Sequence, residues 1–419
     1  MQLSASDTAL LHSIDASFGN PPPAVIGVAV SGGGDSMALL HLLHRWAQNA
    51  NRSVQAVTVD HGLRKAAKDE AAGVAAFCQT LGIQHEILHW KDWDGAGNLQ
   101  DQARRARYDL MGQWARARGI DTIALGHTLE DQAETFLMRL KRGSGVDGLS
   151  GMRARRTSNG ITWQRPLLGQ SRQALRDYLQ RQQITWIEDP SNEDERFDRV
   201  KMRKALGLLA EFGISPERLA NTARDLQTAR TALEQQTRTG AKDMVQIMAG
   251  DVLINAAKFN QLPREIRDRL LAHALQWIAS APYRPRRQAL NDLAANIAAH
   301  KSTTLHGCKI SMKNPDIRIT REYQAVKDTV CPTDAFWDGR WKMSGPNAET
   351  LEIRALGEAG LAQCETWRTT GIPRASLLAS PAIWQNHKLI AAPMAGLSND
   401  WVTTPLFGLD HFISSIIPH

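Results

Sequence analysis

The chain has 419 residues, 42% of them hydrophobic and 22% charged, the composition of a globular protein with room for two or three domains and a sizeable core. The 50 Lys and Arg against 43 Asp and Glu leave a charge of +7, a modest excess that suits a polyanionic partner. No apolar run of roughly 18 residues exists to span a membrane, and the four scattered cysteines (Cys78, Cys308, Cys331, Cys364) contain no CxxC pair for a zinc ribbon or iron–sulfur site.

The N-terminal residues Met1-Gln-Leu-Ser-Ala-Ser-Asp7 lack a basic segment with an apolar core behind it. No secretory signal is therefore expected, and the thiols are expected to be reduced in a cytoplasmic protein. The apolar run 24–30 predicts a strand, and the amphipathic segment 37–46 predicts a helix. Between them stand Ser31, Gly32, Gly33, Gly34, Asp35 and Ser36. A glycine turn between strand and helix offers backbone N–H groups and a helix N-terminus to phosphate oxygens, with no side chain in the way. Two hydroxyls flank the glycines and no lysine follows, so this is not the Gly-Lys-Ser/Thr loop of γ-phosphate transfer.

Further strands are expected at 55–59, 86–88 and 122–125, with helices at 66–81 and 99–118 between them. A strand about every 30 residues is the βαβ rhythm of a parallel sheet. Ligands in such sheets bind at the carboxyl ends of the strands, and the glycine loop, Asp60-His61-Gly62 and Gly126-His127 all fall there. If 127–135 is helical, His127, Asp131 and Glu134 stand on one face. One imidazole and two carboxylates beside a phosphate loop could hold Mg²⁺ or bind an ammonium group. Thr128-x-x-Asp131 can equally be a helix cap, and both roles are compatible because a carboxylate has two oxygens.

Beyond residue 206 the rhythm changes. Residues 215–242 read as a polar helix, 264–278 as an amphipathic one, and Leu290, Leu293 and Ile297 mark another. Short strands are expected near 304–310 and 317–320, a Trp-rich linker at 332–346, and strands at 351–354 and 388–392. The resulting expectation is three parts: a catalytic domain over 1–205, a helical middle domain over 206–330 and a β-rich module over 346–419.

The glycine loop resembles the Ser-Gly-Gly-x-Asp-Ser signature of the PP-loop ATP pyrophosphatases, which cut ATP to AMP and pyrophosphate. The whole catalytic half is similar to the tRNA(Ile)-lysidine synthetase family. Val59-Asp60-His61-Gly62-Leu63-Arg64 matches its second motif, and Ala103-Arg104 with Arg107-Tyr108 matches a helix motif following Asn98. Residues 126–135 match Gly-His-His-x-Asp-Asp-Gln-x-Glu-Thr. Arg142-Gly-Ser-Gly145, Gly148-Leu149, Arg165-Pro-Leu-Leu168 and Asp189-Pro-Ser-Asn192 with Arg199 and Arg203 follow in the family's order. The likeness is weak over the C-terminal module, where Pro373-Arg374 and 380–384 carry it. Two positions depart: Thr128 replaces the family's second His, and Glu130 replaces its first Asp.

The resemblance implies a Rossmann-like α/β catalytic domain of the adenine nucleotide α-hydrolase type, followed by helical and β-rich parts. It implies ATP and Mg²⁺ as cofactors, and free L-lysine and the CAU-anticodon isoleucine tRNA as partners. In the implied reaction ATP adenylates C2 of the wobble cytidine and the ε-amine of lysine displaces AMP. Ser31 to Ser36, Asp60 and His61 are then expected to bind nucleotide, with Asp35 and Asp131 as metal ligands. Asp35, His127, Asp131 and Glu134 form the expected catalytic set. Arg104, Arg107, Arg142, Arg155, Arg156, Asn192, Arg199 and Arg203 are the expected tRNA contacts. No membrane and no obligate protein partner is implied, and a homodimer stays open. A tRNA 2-thiolase is the nearest rival, although it would need cysteines or an iron–sulfur cluster. A glutamine-dependent synthetase would need an N-terminal Cys nucleophile, and the remaining alternative is a non-catalytic tRNA-binding paralogue.

Overall fold

The computed structural model describes residues 4–62, 66–90, 99–188, 196, 198–313, 315–346, 348 and 350–417. They form two compact units that meet in sequence at Arg230 and Thr231. The first contains six strands: β1 (Val25–Ala29), β2 (Ser53–Asp60), β3 (Gln84–His89), β4 (Thr122–Leu125), β5 (Arg155–Ser158) and β6 (Ile161–Gln164). Their order is β3-β2-β1-β4-β6-β5, parallel except for β5 at the edge. The inner strands β1 and β4 are almost wholly buried, as apolar runs in a doubly covered sheet must be.

Helices α1 (Ala5–Ser17), α2 (Gly34–Ala50), α3 (Ala66–Thr80) and α4 (Leu99–Ala117) alternate with the first strands. Then come α5 (Leu129–Lys141), α6 (Val146–Leu149), α7 (Arg172–Arg181), α8 (Asp198–Glu211) and the long α9 (Pro216–Met244). One face of the sheet packs Ile26 and Val28 against Leu39 and Leu43 of α2 and Leu175 and Tyr178 of α7. The other packs Ala29, Val57 and Ile123 against Met111 and Trp114 of α4. Chain order runs outward from β1 to β3 and then returns to β4 on the far side of β1. Ala29 lies in register with both Val57 and Leu125, so the loops after β1, β2 and β4 leave from one edge. That reversal opens the crevice in which such sheets bind ligands. The expected parallel sheet and its strands are present. The β5–β6 hairpin is an addition to that expectation, although Asn159-Gly160 at its tip, both at positive φ, is a known hairpin signal.

The second unit is richer in sheet than its sequence suggests. Strands β7 (Val245–Met248), β8 (Asp251–Asn255), β9 (Thr303–Leu305), β10 (Cys308–Lys313) and β11 (Asp316–Arg321) form an antiparallel sheet in the order β7-β8-β11-β10-β9. It packs with α10 (Ala256–Gln261), α11 (Arg264–Ile278) and α12 (Arg287–Ala298) around Leu270, Ala274, Leu293 and Ile319. Residues 332–346 are no linker: Trp337 and Trp341 are buried in a core with Ile353 and Ile383, and Trp341–Ser344 pairs with Val402–Pro405. A tryptophan-rich stretch buries far more apolar surface when packed than an exposed connection would allow.

Asp251 is buried in this unit, where its Oδ2 accepts from Arg318 Nη1 at 2.8 Å and from Ser376 Oγ at 2.6 Å. Asp251→Ala would leave the Arg318 guanidinium buried without this carboxylate. A loss of about 3–5 kcal/mol in the unfolding free energy is expected. Denaturant titration checks it, and an unchanged midpoint would place the network outside the stability of this unit.

Candidate active site

The site is built on the loop between β1 and α2. Gly32 sits at φ +85°, and a Cβ there would lie 2.6 Å from Ile187 Cδ1. The Ile187 N–H donates to the Gly32 carbonyl at 3.0 Å, so the segment after α7 lies along the glycine loop. Ser36 closes the loop from below: its Oγ donates to the Gly33 carbonyl at 2.9 Å and accepts from the Ser31 N–H at 3.1 Å. The loop is thus folded by its own hydroxyls and opens at the positive end of a 17-residue helix, where backbone dipoles favour an anion.

Gly126, after β4, is the second backbone requirement. A Cβ at this position would meet the Asp35 carbonyl oxygen at 3.1 Å and Ser36 Cα at 3.2 Å, so a side chain here would press the start of α5 away from the start of α2 by a few tenths of an ångström. Thr128 is then the N-cap of α5 in a reciprocal capping box. Its N–H donates to Asp131 Oδ2 at 2.8 Å, leaving Oδ1 to face the crevice and accept from Arg172 Nη2 at 2.8 Å. The capping reading of this motif therefore holds on Oδ2, and it leaves Oδ1 on the crevice side.

The cavity between α2, α5, α7 and α8 has a volume of ≈ 1130 Å³ and is lined by Asp35, His127, Glu130, Asp131, Arg172 and Arg199, among others. Arg172 reaches three acids: Nε lies 3.4 Å from Asp35 Oδ2, Nη2 2.8 Å from Asp131 Oδ1 and Nη1 2.9 Å from Glu134 Oε1. Its backbone N–H donates to Glu130 at 3.0 Å. Glu134 has no exposed surface, and its oxygens also accept from Arg199 Nε at 3.1 Å and Arg203 Nε at 3.2 Å. Burial raises the Asp35 carboxyl to about 6, assisted by the negative charges of Asp131 and Glu130 and only partly offset by Arg172. Burial drives His127 the other way, down to about 3, with Arg165, Arg199 and Arg107 adding to the effect against Asp131. His127 is thus neutral at physiological pH, and its buried Nδ1 finds no hydrogen-bond partner among the described residues.

A smaller adjoining cavity of ≈ 380 Å³ lies between the glycine loop, Asp60, His61 and α3. Asp60 Oδ1 accepts from the Gly62 N–H at 2.8 Å, which fixes the turn after β2. Arg107 lines both cavities. Among the expected RNA contacts, Arg104, Arg142, Arg155 and Arg156 are exposed, the last two side by side on edge strand β5. Arg199 and Arg203 turn toward Glu134 while keeping 40% of each side chain exposed. Asn192 and the rest of 189–195 lie outside the described residues. Sequence reasoning missed Arg172: nothing local to a helix start at 172 reveals that its side chain meets carboxylates about forty positions earlier in the chain. It missed Trp186 and Ile187 as well, which back Gly34 and Gly32.

Asp35 and Asp131 are hard oxygen donors facing one cavity, and Asp35, with 30% of its side chain exposed, is held above the usual carboxylate range by burial and neighbouring acids. Such a pair fits Mg²⁺, which characteristically takes one or two carboxylates together with phosphate and water oxygens.

Fold and site together define a PP-loop ATP-binding protein, and residues 7–209 match the PP-loop domain family. The chain is 48% identical over 410 residues to a tRNA(Ile)-lysidine synthase of Ruegeria pomeroyi, covering 98% of both chains. It is 39% identical over 328 residues to that of Wolbachia pipientis, covering 75% of this chain and 76% of the other. The relative from Hyphomonas neptunium is 37% identical over 306 residues, covering 71% and 81%. This chain belongs to the tRNA(Ile)-lysidine synthase family. A solved U34-tRNA thiolase, NcsA from Methanococcus maripaludis with its [4Fe-4S] cluster, has a TM-score of 0.46 at 17% identity over 53% of this chain and 80% of that one, too distant to bear on the chemistry.

The capping geometry makes a prediction at Thr128, which is fully buried. Thr128→Ser keeps the hydroxyl and should change stability little, whereas Thr128→Ala should cost about 1 kcal/mol. Thr128→His, the residue usual in the family, must be forced into a filled space and should cost about 1–3 kcal/mol. Thermal melts of the three variants check the order; a His variant as stable as the wild type would contradict it.

Proposed function

We propose that this protein ligates free L-lysine to C2 of the wobble cytidine of the CAU-anticodon isoleucine tRNA, consuming ATP and releasing AMP and pyrophosphate. The observation that carries the reading is the convergence of the phosphate loop with Asp35, Glu130 and Asp131 on one cavity, with Arg172 pairing to Asp35, to Asp131 and to Glu134 buried behind them. In the first step the C2 oxygen of cytidine attacks the α-phosphorus of ATP and pyrophosphate leaves. In the second the ε-amine of lysine attacks C2, loses a proton, and AMP departs with the former carbonyl oxygen.

Each part of the site has a task in that sequence. The glycine loop and the N-terminus of α2 take the phosphates of ATP, where charge gathers on the departing pyrophosphate. Mg²⁺ would be held by Asp35 and Asp131 and would supply further neutralisation of that charge. The smaller cavity, flanked by Asp60 and His61, accommodates the nucleoside. Neutral His127 suits a positioning hydrogen bond to the polar edge of the cytosine better than proton abstraction, because burial makes it a weak base. The acidic wall suits the lysine ammonium, with the Glu134 carboxylate fixing the arginines behind it. Exposed Arg104, Arg142, Arg155 and Arg156 are placed for RNA phosphates, and the unpaired bases of an anticodon loop can be turned out and read individually. A tRNA-modifying enzyme of this kind would work in the cytoplasm.

Thiolation finds less support. Cys78 is buried in the core, where desolvation pushes its thiol up to about 11, far from the reactive range. A non-catalytic RNA binder finds little support in a site that keeps buried carboxylates beside an intact phosphate loop.

The first half-reaction is tested by tRNA-dependent ATP–pyrophosphate exchange. Asp35→Ala should lower exchange to below about a hundredth of wild type while tRNA affinity is retained. Wild-type exchange by this variant would remove Asp35 from the chemistry. The RNA interface is tested separately by the double variant Arg155→Glu, Arg156→Glu. Its plot of log affinity against log salt should be shallower by about 0.7–0.9 for each phosphate left without its arginine, and an unchanged slope would place β5 away from the RNA.

A further inference from the structure

Arg172 is the point at which the two halves of the cavity are tied together. Asp35 belongs to α2 and the phosphate loop; Asp131 belongs to α5 and the acidic wall, with Glu134 of the same helix buried behind it. Carboxylates gathered on one cavity repel each other unless a cation stands between them. One guanidinium spans all three, at 3.4 Å from Asp35, 2.8 Å from Asp131 and 2.9 Å from Glu134. A planar fork with separate donors can do this, whereas an ammonium concentrates its charge at one atom.

The guanidinium is itself held from behind. Arg172 opens α7, whose N-cap Ser171 accepts from the Ala174 N–H at 3.2 Å, and its own N–H is bound by Glu130 of α5. The same helix packs Leu175 and Tyr178 against α2, and the Tyr178 hydroxyl lies 2.7 Å from His41 Nδ1. Helix α7 is therefore braced against α2 by its apolar face and by Tyr178, and Arg172 is the residue of α7 that meets acids of both α2 and α5.

We propose that Arg172 is a positioning residue for both half-reactions: it holds Asp35 at the phosphate loop and Asp131 at the amine-accepting wall in one fixed register. The inference rests on the function proposed above and extends it to a cavity-lining residue whose side chain is engaged by the three acids. It follows that loss of Arg172 slows adenylation and lysine transfer together, because each half depends on one end of the same bridge. A residue serving only ATP, or only lysine, would slow one of them.

The test is Arg172→Ala, measured by ATP–pyrophosphate exchange and by single-turnover transfer of lysine to pre-adenylated tRNA. Wild-type protein serves as the reference; if it forms no lysidine, the functional reading fails independently of this inference. In a folded Arg172→Ala variant both rates should fall by about tenfold to a hundredfold, with tRNA affinity unchanged. Millimolar guanidinium chloride should restore part of both rates, while equal sodium chloride or urea should not. Arg172→Lys, which keeps the charge without the fork, carries the test should the alanine variant fail to fold, and it too should lose both rates by similar factors. Wild-type rates in the folded variant, a loss confined to one half-reaction, or a loss in the alanine variant that guanidinium does not relieve would each overturn the proposal.

Discussion

A partly buried meeting of carboxylates and guanidiniums, centred on buried Glu134, underlies the arrangement of the catalytic unit. Asp35, Asp131 and Glu134 face Arg172, Arg199 and Arg203 at the mouth of the sheet's topological reversal. Charges removed from water are costly unless matched, and removing one partner of such a set costs more than the set contributes. The constraint ties α5, α7 and α8 together: each supplies a charge that its neighbours require. Glu134, wholly buried and in contact with three arginines, is the anchor of the set.

The same cluster explains the perturbed protonation around it. Asp35 lies where the arginines do not fully compensate burial, so its carboxyl rises to about 6. His127, on the other flank, stays neutral chiefly because it is buried, with nearby arginines adding to the effect. A site with excess negative potential on one wall and positive potential on the other can receive a cationic amine and anionic phosphates in adjoining places. The fold adds the third element through the glycine loop, whose geometry depends on Ser36 and on the close crossing permitted by Gly126.

Much of this is legible in the chain. The β1 strand, the Ser31–Ser36 turn and the alternation of strands and helices follow from local composition and spacing. The capping use of the Thr128–Asp131 motif is legible, because it depends on residues three apart, whereas the partner of the second Asp131 oxygen is not. What is not legible depends on distant partners. Arg199 and Arg203 look like surface cations for RNA, and only the folded chain turns them toward Glu134. Arg172 carries no local signal at all. In the second unit the buried tryptophans at 337 and 341 resemble a linker by their Pro and Gly neighbours, whereas their packing against 353 and 383 is a long-range fact. The β7–β8 hairpin turns at Ala249-Gly250, a two-residue connection too brief to stand out between helix-like flanks.

One cavity carries both nucleotide activation and amine attack on the same cytidine in the function proposed. Incubating the wild-type protein with ATP, radiolabelled lysine and CAU-anticodon isoleucine tRNA tests this most directly, with label in the RNA and AMP both counted. The expected result is label in the wobble nucleotide, one AMP released for each lysine incorporated, and none transferred to a methionine tRNA. Release of AMP without labelled RNA, or label at any other nucleotide, would contradict it.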